Sequence, residues 1–294
     1  MVVYLEEYVE LNRTTTLGNV RMVYYSKGGV GMYSRRDILD ILDMAIMAGR
    51  ILLENGAETY RVEETINRLC RSKGLESVDN FTIPTGIFVS ASYGDELITR
   101  VMTVRIKTID LEIIALINDF SRRFQREPMG VAEAVAELER IEKSPHYPLW
   151  LQIVAGGAGG SFFALLFGAT GLEFPLSFLT AVAVMIAFEV FSRLKFSTFM
   201  TYVFSGIANI STALAVTYLS HLAGFHPRVD MLAIGALMPL VPGVAITNAI
   251  RDIISGDYVS GMSRLLEAMV IAGGIALGVG IVMHLNHLVK AVTS

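Results

Sequence analysis

The chain has 294 residues, 53% of them hydrophobic and 18% charged, with a net charge of −4 at neutral pH. That balance, without a basic cluster, excludes nucleic acid as an expected partner, and a lone cysteine, Cys70, excludes a disulfide framework or a cysteine-rich metal site. Charge is unevenly spread: residues 1–148 hold 22 acidic and 18 basic side chains against 6 and 6 in 149–294, so a water-soluble unit is expected to precede a membrane unit.

Residues 1–33 mix aromatics, glycine and charge without sustained periodicity, and read as a flexible extension or a stretch upstream of the true translation start. No apolar h-region precedes the soluble unit, so no cleaved signal peptide is expected and the unit should stay in the cytoplasm. Ser34 is a suitable N-cap for a helix over 35–53, with Ile38, Leu42, Ala45, Ile46 and Gly49 at helical spacing and Asn55-Gly56 as its stop. A second helix, over 58–73, puts Val62, Ile66 and Leu69 on one face, uses Cys70 as a small packing residue and ends at Gly74. Strand-type sequence follows at 77–83, 85–92 and 96–107, with breaks at Pro84-Thr-Gly86 and Tyr93-Gly-Asp95. Helices over 110–125 and 129–143 complete a small α+β domain of 34–145. In the last of them Val131, Val135, Leu138 and Ile141 should face inward while Glu133, Glu137 and Arg140 face water.

The junction between the first two helices, Asn55-Gly-Ala-Glu-Thr59, is tight. Gly56 can take positive φ, and Glu58 or Thr59 can cap the N–H groups of the next helix. A helix N-terminus also attracts anions, although the acidic neighbours weigh against that use here. No Ser/His/Asp triad, thiol–histidine pair or metalloprotease helix is found, so an enzyme and a cofactor are not expected.

Prolines 145 and 148 mark a boundary, and 146–294 reads as a five-helix transmembrane domain with spans near 149–172, 175–191, 199–222, 231–250 and 265–288. The second span starts at Pro175. Arg193, Lys195, Arg251 and Arg264 lie on one side against Arg228 and Lys290 on the other, which places the carboxyl terminus outside. Gly156-Gly-Ala-Gly-Gly160 lacks the Gly-Lys-Ser/Thr ending of a phosphate loop. Gly156/Gly160 and Gly274/Gly278 read instead as faces for close helix contact, within the chain or with another. Glu189 is either a proton-coupling carboxylate or the i,i+4 partner of Arg193, and Glu267, three residues after Arg264, carries the same pair of readings. Asn209, with Ser205, Ser211 and Thr212, gives the third span a polar stripe for inter-helix bonding or a pathway lining. His284 and His287 read as interfacial histidines rather than a metal site.

The fourth span carries Pro239 and Pro242. Neither can donate a backbone hydrogen bond, so the carbonyls of Gly235 and Met238 are expected to be free. A helix broken in lipid needs protein or a watery cavity around it, and transporters bind solutes at such breaks; a packing kink is the plainer reading. The polar run Thr247, Asn248, Arg251 and Asp252, continued by Asp257, points to a pathway.

The junction within 48–63, the run Pro239-Leu-Val-Pro-Gly-Val244 and the run Arg251-Asp-Ile-Ile-Ser-Gly-Asp257 with Arg264 and Glu267-Ala268 resemble the signatures of the threonine/serine exporter family, from about Ser34 onward. The resemblance implies export of small polar metabolites, threonine- or serine-type amino acids in some members and dicarboxylates such as succinate in others. It further implies the two-component form, in which a second, small multi-span subunit supplies the remaining helices; self-association in the lipid membrane is a further option. The carbonyls at the break would take an ammonium or a proton-carrying group, the helix restarting after Gly243 a carboxylate, with Arg251 assisting. The runner-up is a membrane-anchored sensor whose soluble domain binds the ligand.

Overall fold

The computed structural model describes residues 15–17, 20–22, 34–75, 77–93, 96–105, 109–145 and 147–293. The extension expected over 1–33 falls mostly outside these residues. Within it β1 (Thr15–Leu17) and β2 (Val20–Met22) pair antiparallel.

Helix α1 (Arg35–Glu54) opens as expected at Ser34, in a reciprocal capping box with Asp37. Its apolar residues run round most of its circumference, so it lies at the centre of the first half, buried along Ile38, Ile41, Leu42, Ala45, Leu52 and Leu53. Arg50 pairs with Glu54 on the same helix at 3.0 Å and with Glu142, far along the chain, at 2.8 Å. Gly49 lets α2 (Thr59–Ser72) close in, since a Cβ there would meet Ile66 Cδ1 at 2.8 Å. Strands β3 (Val78–Ile83), β4 (Gly86–Tyr93) and β5 (Glu96–Thr103) form one antiparallel sheet in that order. Ile87, Val89, Ala91 and Ile98 face the helices, while Phe81, Phe88 and Val101 stand across from one another on the open face. β5 stops at Thr103, short of the expected 107; positions 106–108 lie outside the described residues.

Helices α3 (Leu111–Arg126) and α4 (Val131–Glu142) close this core. In α4 the buried face is Ala134, Leu138 and Ile141, with Val131 and Val135 half-buried at its edge. Glu137 is half-buried rather than in water, because Arg123 of α3 pairs with it. Cys70 is buried as expected, and burial pushes its thiol up to about 12.

The second half is a helical bundle: α5 (Leu149–Leu166), α6 (Glu173–Arg193), α7 (Thr198–Leu222), α8 (Val229–Leu237), α9 (Gly243–Ile254) and α10 (Tyr258–Thr293). Among the described residues α5, α6, α7 and α10 are long and apolar enough to cross a membrane. The pair α8 and α9, bent by 56°, makes a fifth if taken as one span. Helix α6 begins two residues before Pro175, which sits harmlessly in the first turn where its missing N–H has no helical partner. Helix α10 begins at Tyr258 rather than 265. Asp257 Oδ1 accepts the Ser260 N–H at 3.2 Å, so the residue read as part of a polar pathway run caps a helix start.

The small-residue faces are used inside the chain. A Cβ on Gly160 would meet Ala181 Cβ at 2.7 Å and the Gly235 carbonyl at 3.0 Å, and one on Gly156 would meet Met185 at 2.9 Å. A Cβ on Gly274 would meet the Phe199 carbonyl at 3.0 Å, and one on Gly278 would run into the Val203 carbonyl. These glycines therefore seat α5 against α6 and α8, and α10 against α7.

Candidate functional site

The break in the fourth apolar segment is a short reorganisation of the backbone. After α8 the chain tightens into a 3-10 turn over Met238–Leu240, Val241 is extended, and α9 restarts after Pro242. The carbonyls expected to be free are both engaged. Gly235 O accepts the Met238 N–H, and Met238 O accepts the Val241 N–H at 3.2 Å. The physical reason is that i→i−3 bonding lets a carbonyl use the next available N–H when proline removes the usual one. Gly235 O also faces Gly160 in the α5–α8 crossing. Helix α9 has no side-chain cap, and its first turn stays turned toward open space.

That space is a cleft of about 710 Å³. Of the residues singled out in the sequence, Gly56, Glu189, Pro239, Pro242, Gly243, Asn248 and Glu267 line it, joined by Thr201, Tyr202, Arg264 and Ile109. Gly235, Met238, Thr247, Arg251, Asp252, Asp257 and Asn209 do not. The Thr247 hydroxyl donates to Gly243 O on its own helix at 2.6 Å. Asn209 is buried in α7 and its Nδ2 donates to Ala233 O at 3.1 Å, so its observed bond is between helices. Ser205 and Thr212 bond back to their own helix. Glu189 accepts from Arg193 Nε at 2.7 Å, the i,i+4 partner expected, while also reaching the cleft wall.

The floor of the cleft is a joint between the two halves, and it brings both sequence motifs together. The Thr59 hydroxyl lies 3.1 Å from Asp252 Oδ1 and 2.8 Å from Asp257 Oδ2. Asn248 Nδ2 donates to Gly56 O at 2.9 Å, and Arg264 Nη2 to Ala57 O at 2.6 Å. Arg251 pairs with Glu58, which pairs in turn with Arg61 at 3.0 Å. Glu58 sits at the N-cap position of α2 but makes no capping bond. Asp252, across the joint, instead meets the side chain of Thr59, the first residue of α2. A side-chain carboxylate of α9 thus lies beside the start of α2, where the helix dipole favours negative charge.

Asn55 and Gly56 shape this contact. Asn55 Nδ2 bonds to Ile51 O at 2.7 Å, and Gly56 adopts φ +85°, a conformation that costs glycine nothing. Arg264 is 4% exposed and its Nε lies 3.1 Å from Asp252 Oδ2, an ion pair by distance although the N–H is not aimed at the oxygen. It does not pair with Glu267, as its spacing had implied. An arginine in an apolar helix needs a carboxylate partner, a signal that could have matched it to Asp252. Glu63, one turn into α2, accepts the Thr82 N–H at 2.8 Å. Burial pushes its carboxyl above the ordinary range, opposed by that N–H and reinforced by Asp257.

A family model for threonine/serine exporters matches residues 43–286, both sides of the joint included. The chain belongs to the threonine/serine exporter family. It is 27% identical over 245 residues to a probable threonine/serine exporter of Mycobacterium tuberculosis, covering 81% of this chain and 45% of that protein. It is 22% identical over 267 residues to a threonine/serine exporter of Corynebacterium glutamicum, covering 88% of this chain and 54% of that protein. Against the probable succinate transporter subunit YjjP of Escherichia coli it is 21% identical over 246 residues, covering 83% and 93%. This exporter-family chain thus spans about half the length of the two named exporters and nearly all of the succinate transporter subunit. No solved structure matches it.

Proposed function

We propose that the chain is a subunit of a secondary transporter that exports small polar metabolites, threonine- or serine-type amino acids or dicarboxylates such as succinate, across the cytoplasmic membrane. The observation that carries this reading is the cleft itself. It lies against a broken apolar helix, its wall includes an uncapped helix start at Gly243, and its lining mixes Glu189, Glu267, Asn248 and Thr201 with aromatic surface. A bare anchor has no use for such a cleft. Gly56 and Ile109 of the first half also line it, so in this reading the first half forms part of the pathway wall rather than a separate sensor.

In this reading residues 34–145 are a cytoplasmic α+β domain after an extension over 1–33, and 146–294 cross the membrane five times and end outside. Supporting that orientation, Arg193, Arg251 and Arg264 cluster at the joint end, with Arg228 at the other end. The pathway residues are Pro239, Pro242, Gly243, Asn248, Glu189 and Glu267, with Arg251, Asp252 and Asp257 holding the floor. A second multi-span subunit completes the transporter, as the length of the exporter relatives suggests. The test is export of a panel of amino acids and dicarboxylates by cells carrying this chain with and without a candidate small membrane partner. Export of one class only when both are present supports the proposal, and no export of any of these solutes contradicts it.

A further inference from the structure

The end of the bundle opposite the cleft is closed by an ion pair that the transporter reading leaves unused. Glu173, the first residue of α6, is 6% exposed. Its carboxylate accepts the Arg228 backbone N–H at 3.0 Å, Arg228 Nε at 2.9 Å and Nη2 at 3.0 Å, and the Thr170 N–H at 2.8 Å. Arg228 Nη2 also donates to Gly168 O at 2.6 Å. One carboxylate therefore ties the α5–α6 loop to the start of α8. Arg228 is the N-cap residue of α8, at the far end of a nine-residue lever whose other end is the 56° bend. Gly160 and Gly235 bring α5 and α8 to backbone contact, a smooth surface on which such a lever can turn.

Between this latch and the cleft runs one row of α7. Thr201, Ser205, Asn209, Ala213 and Thr217 recur every four residues, all are buried, and together they cover about 24 Å. Thr201 lines the cleft. Asn209 Oδ1 and Thr217 Oγ1 have no hydrogen-bond partner among the described residues, and neither has the Ser177 hydroxyl, one turn inward from Glu173 on α6. A buried polar atom left without a partner is costly, and lipid offers none. Two such atoms on the row, with a third facing them from α6, are explained if a solute or water file supplies the missing bonds in another state.

We propose that the solute route follows this α7 row from the cleft to the opposite face, that α8 is its moving wall, and that Glu173–Arg228 is the latch that holds it shut while the cleft is open. This rests on the transporter reading, but its test does not need a substrate. In native membrane vesicles the full chain carries Cys70→Ser with Ser177→Cys as the one thiol, and a membrane-impermeant maleimide is applied to each face in turn. With the latch intact, labelling from the latch face is slow. Glu173→Gln should speed it at least tenfold, and Arg228→Lys, which keeps the charge but loses the forked donor, should give an intermediate rate. The exchange Glu173→Arg with Arg228→Glu should slow it again. Should Glu173→Gln fail to reach the membrane, Arg228→Lys and the exchange variant carry the comparison. Equal labelling rates in all variants, or fast labelling with the latch intact, would overturn the latch, and intact export beside that result would leave the exporter reading standing.

Discussion

Asp252 is the residue on which most of the joint converges. It accepts from the Thr59 hydroxyl and balances Arg264, and both partners of that ion pair are almost wholly buried. Removing one partner of a buried pair leaves an uncompensated charge, a loss of about 3–5 kcal/mol. Asp252→Asn should therefore lower the melting temperature in detergent sharply, whereas Asp252→Asn with Arg264→Gln should recover part of the loss. Equal melting of the single and double variants would mean that the pair does not hold the joint. Glu63 gives the same region a pH signature. A carboxyl whose folded value lies above the ordinary 4.5 holds its proton more tightly when folded. Its contribution is then fully present at low pH and lost as pH rises through the raised value. Glu63→Gln should flatten the decline in thermal stability on raising the pH from about 4.5, the ordinary glutamate value, toward neutrality. An unchanged slope would contradict the assignment.

At the scale of elements, most helices were legible because their signals are local: the Ser34 cap, Asn55-Gly56 and Gly74 each act within one turn. The break at Pro239 and Pro242 was legible for the same reason. Its carbonyl bonding was not, because a proline says only which N–H is missing and not which neighbour replaces it. The joint was illegible as a joint. Thr59 and Asp252 are 193 positions apart, and each motif alone looked like a turn or a pathway. The break predicts a separable function. Pro242→Ala restores a donor where the chain must bend, and Gly243→Leu, which has no atom within 4 Å of its new Cβ, fills the cleft mouth. Both should cut export at least tenfold with near-normal abundance in the membrane. Gly278→Leu, which collides with the Val203 backbone, should instead remove the protein from the membrane. Normal export in the first two variants would confine the break to a packing role.

For the molecule as a whole, the two halves share one cleft, because Gly56 and Ile109 of the first line it and Asn248 and Arg264 of the second bond to the Gly56 and Ala57 carbonyls. The glycine faces, expected to serve contacts within the chain or with another, are used within the bundle, so the proposed partner would dock elsewhere on it. Helix α10, with 36 residues, is about 54 Å long, well beyond the roughly 30 Å of hydrocarbon it would cross. Purification in mild detergent should recover a second membrane protein of four or five spans with the chain; a lone chain that transports fully in liposomes would show that self-association suffices.

In the proposed transporter, solute binds in the cleft beside the broken helix. Alkylation of a single thiol at position 243, in Gly243→Cys with Cys70→Ser, measures it directly in membrane vesicles containing the complete transporter. The exported solute should slow the reaction at least fivefold, in a concentration-dependent manner, while amino acids or dicarboxylates that are not exported leave it unchanged. A reaction rate indifferent to a solute that the same vesicles transport would contradict the account.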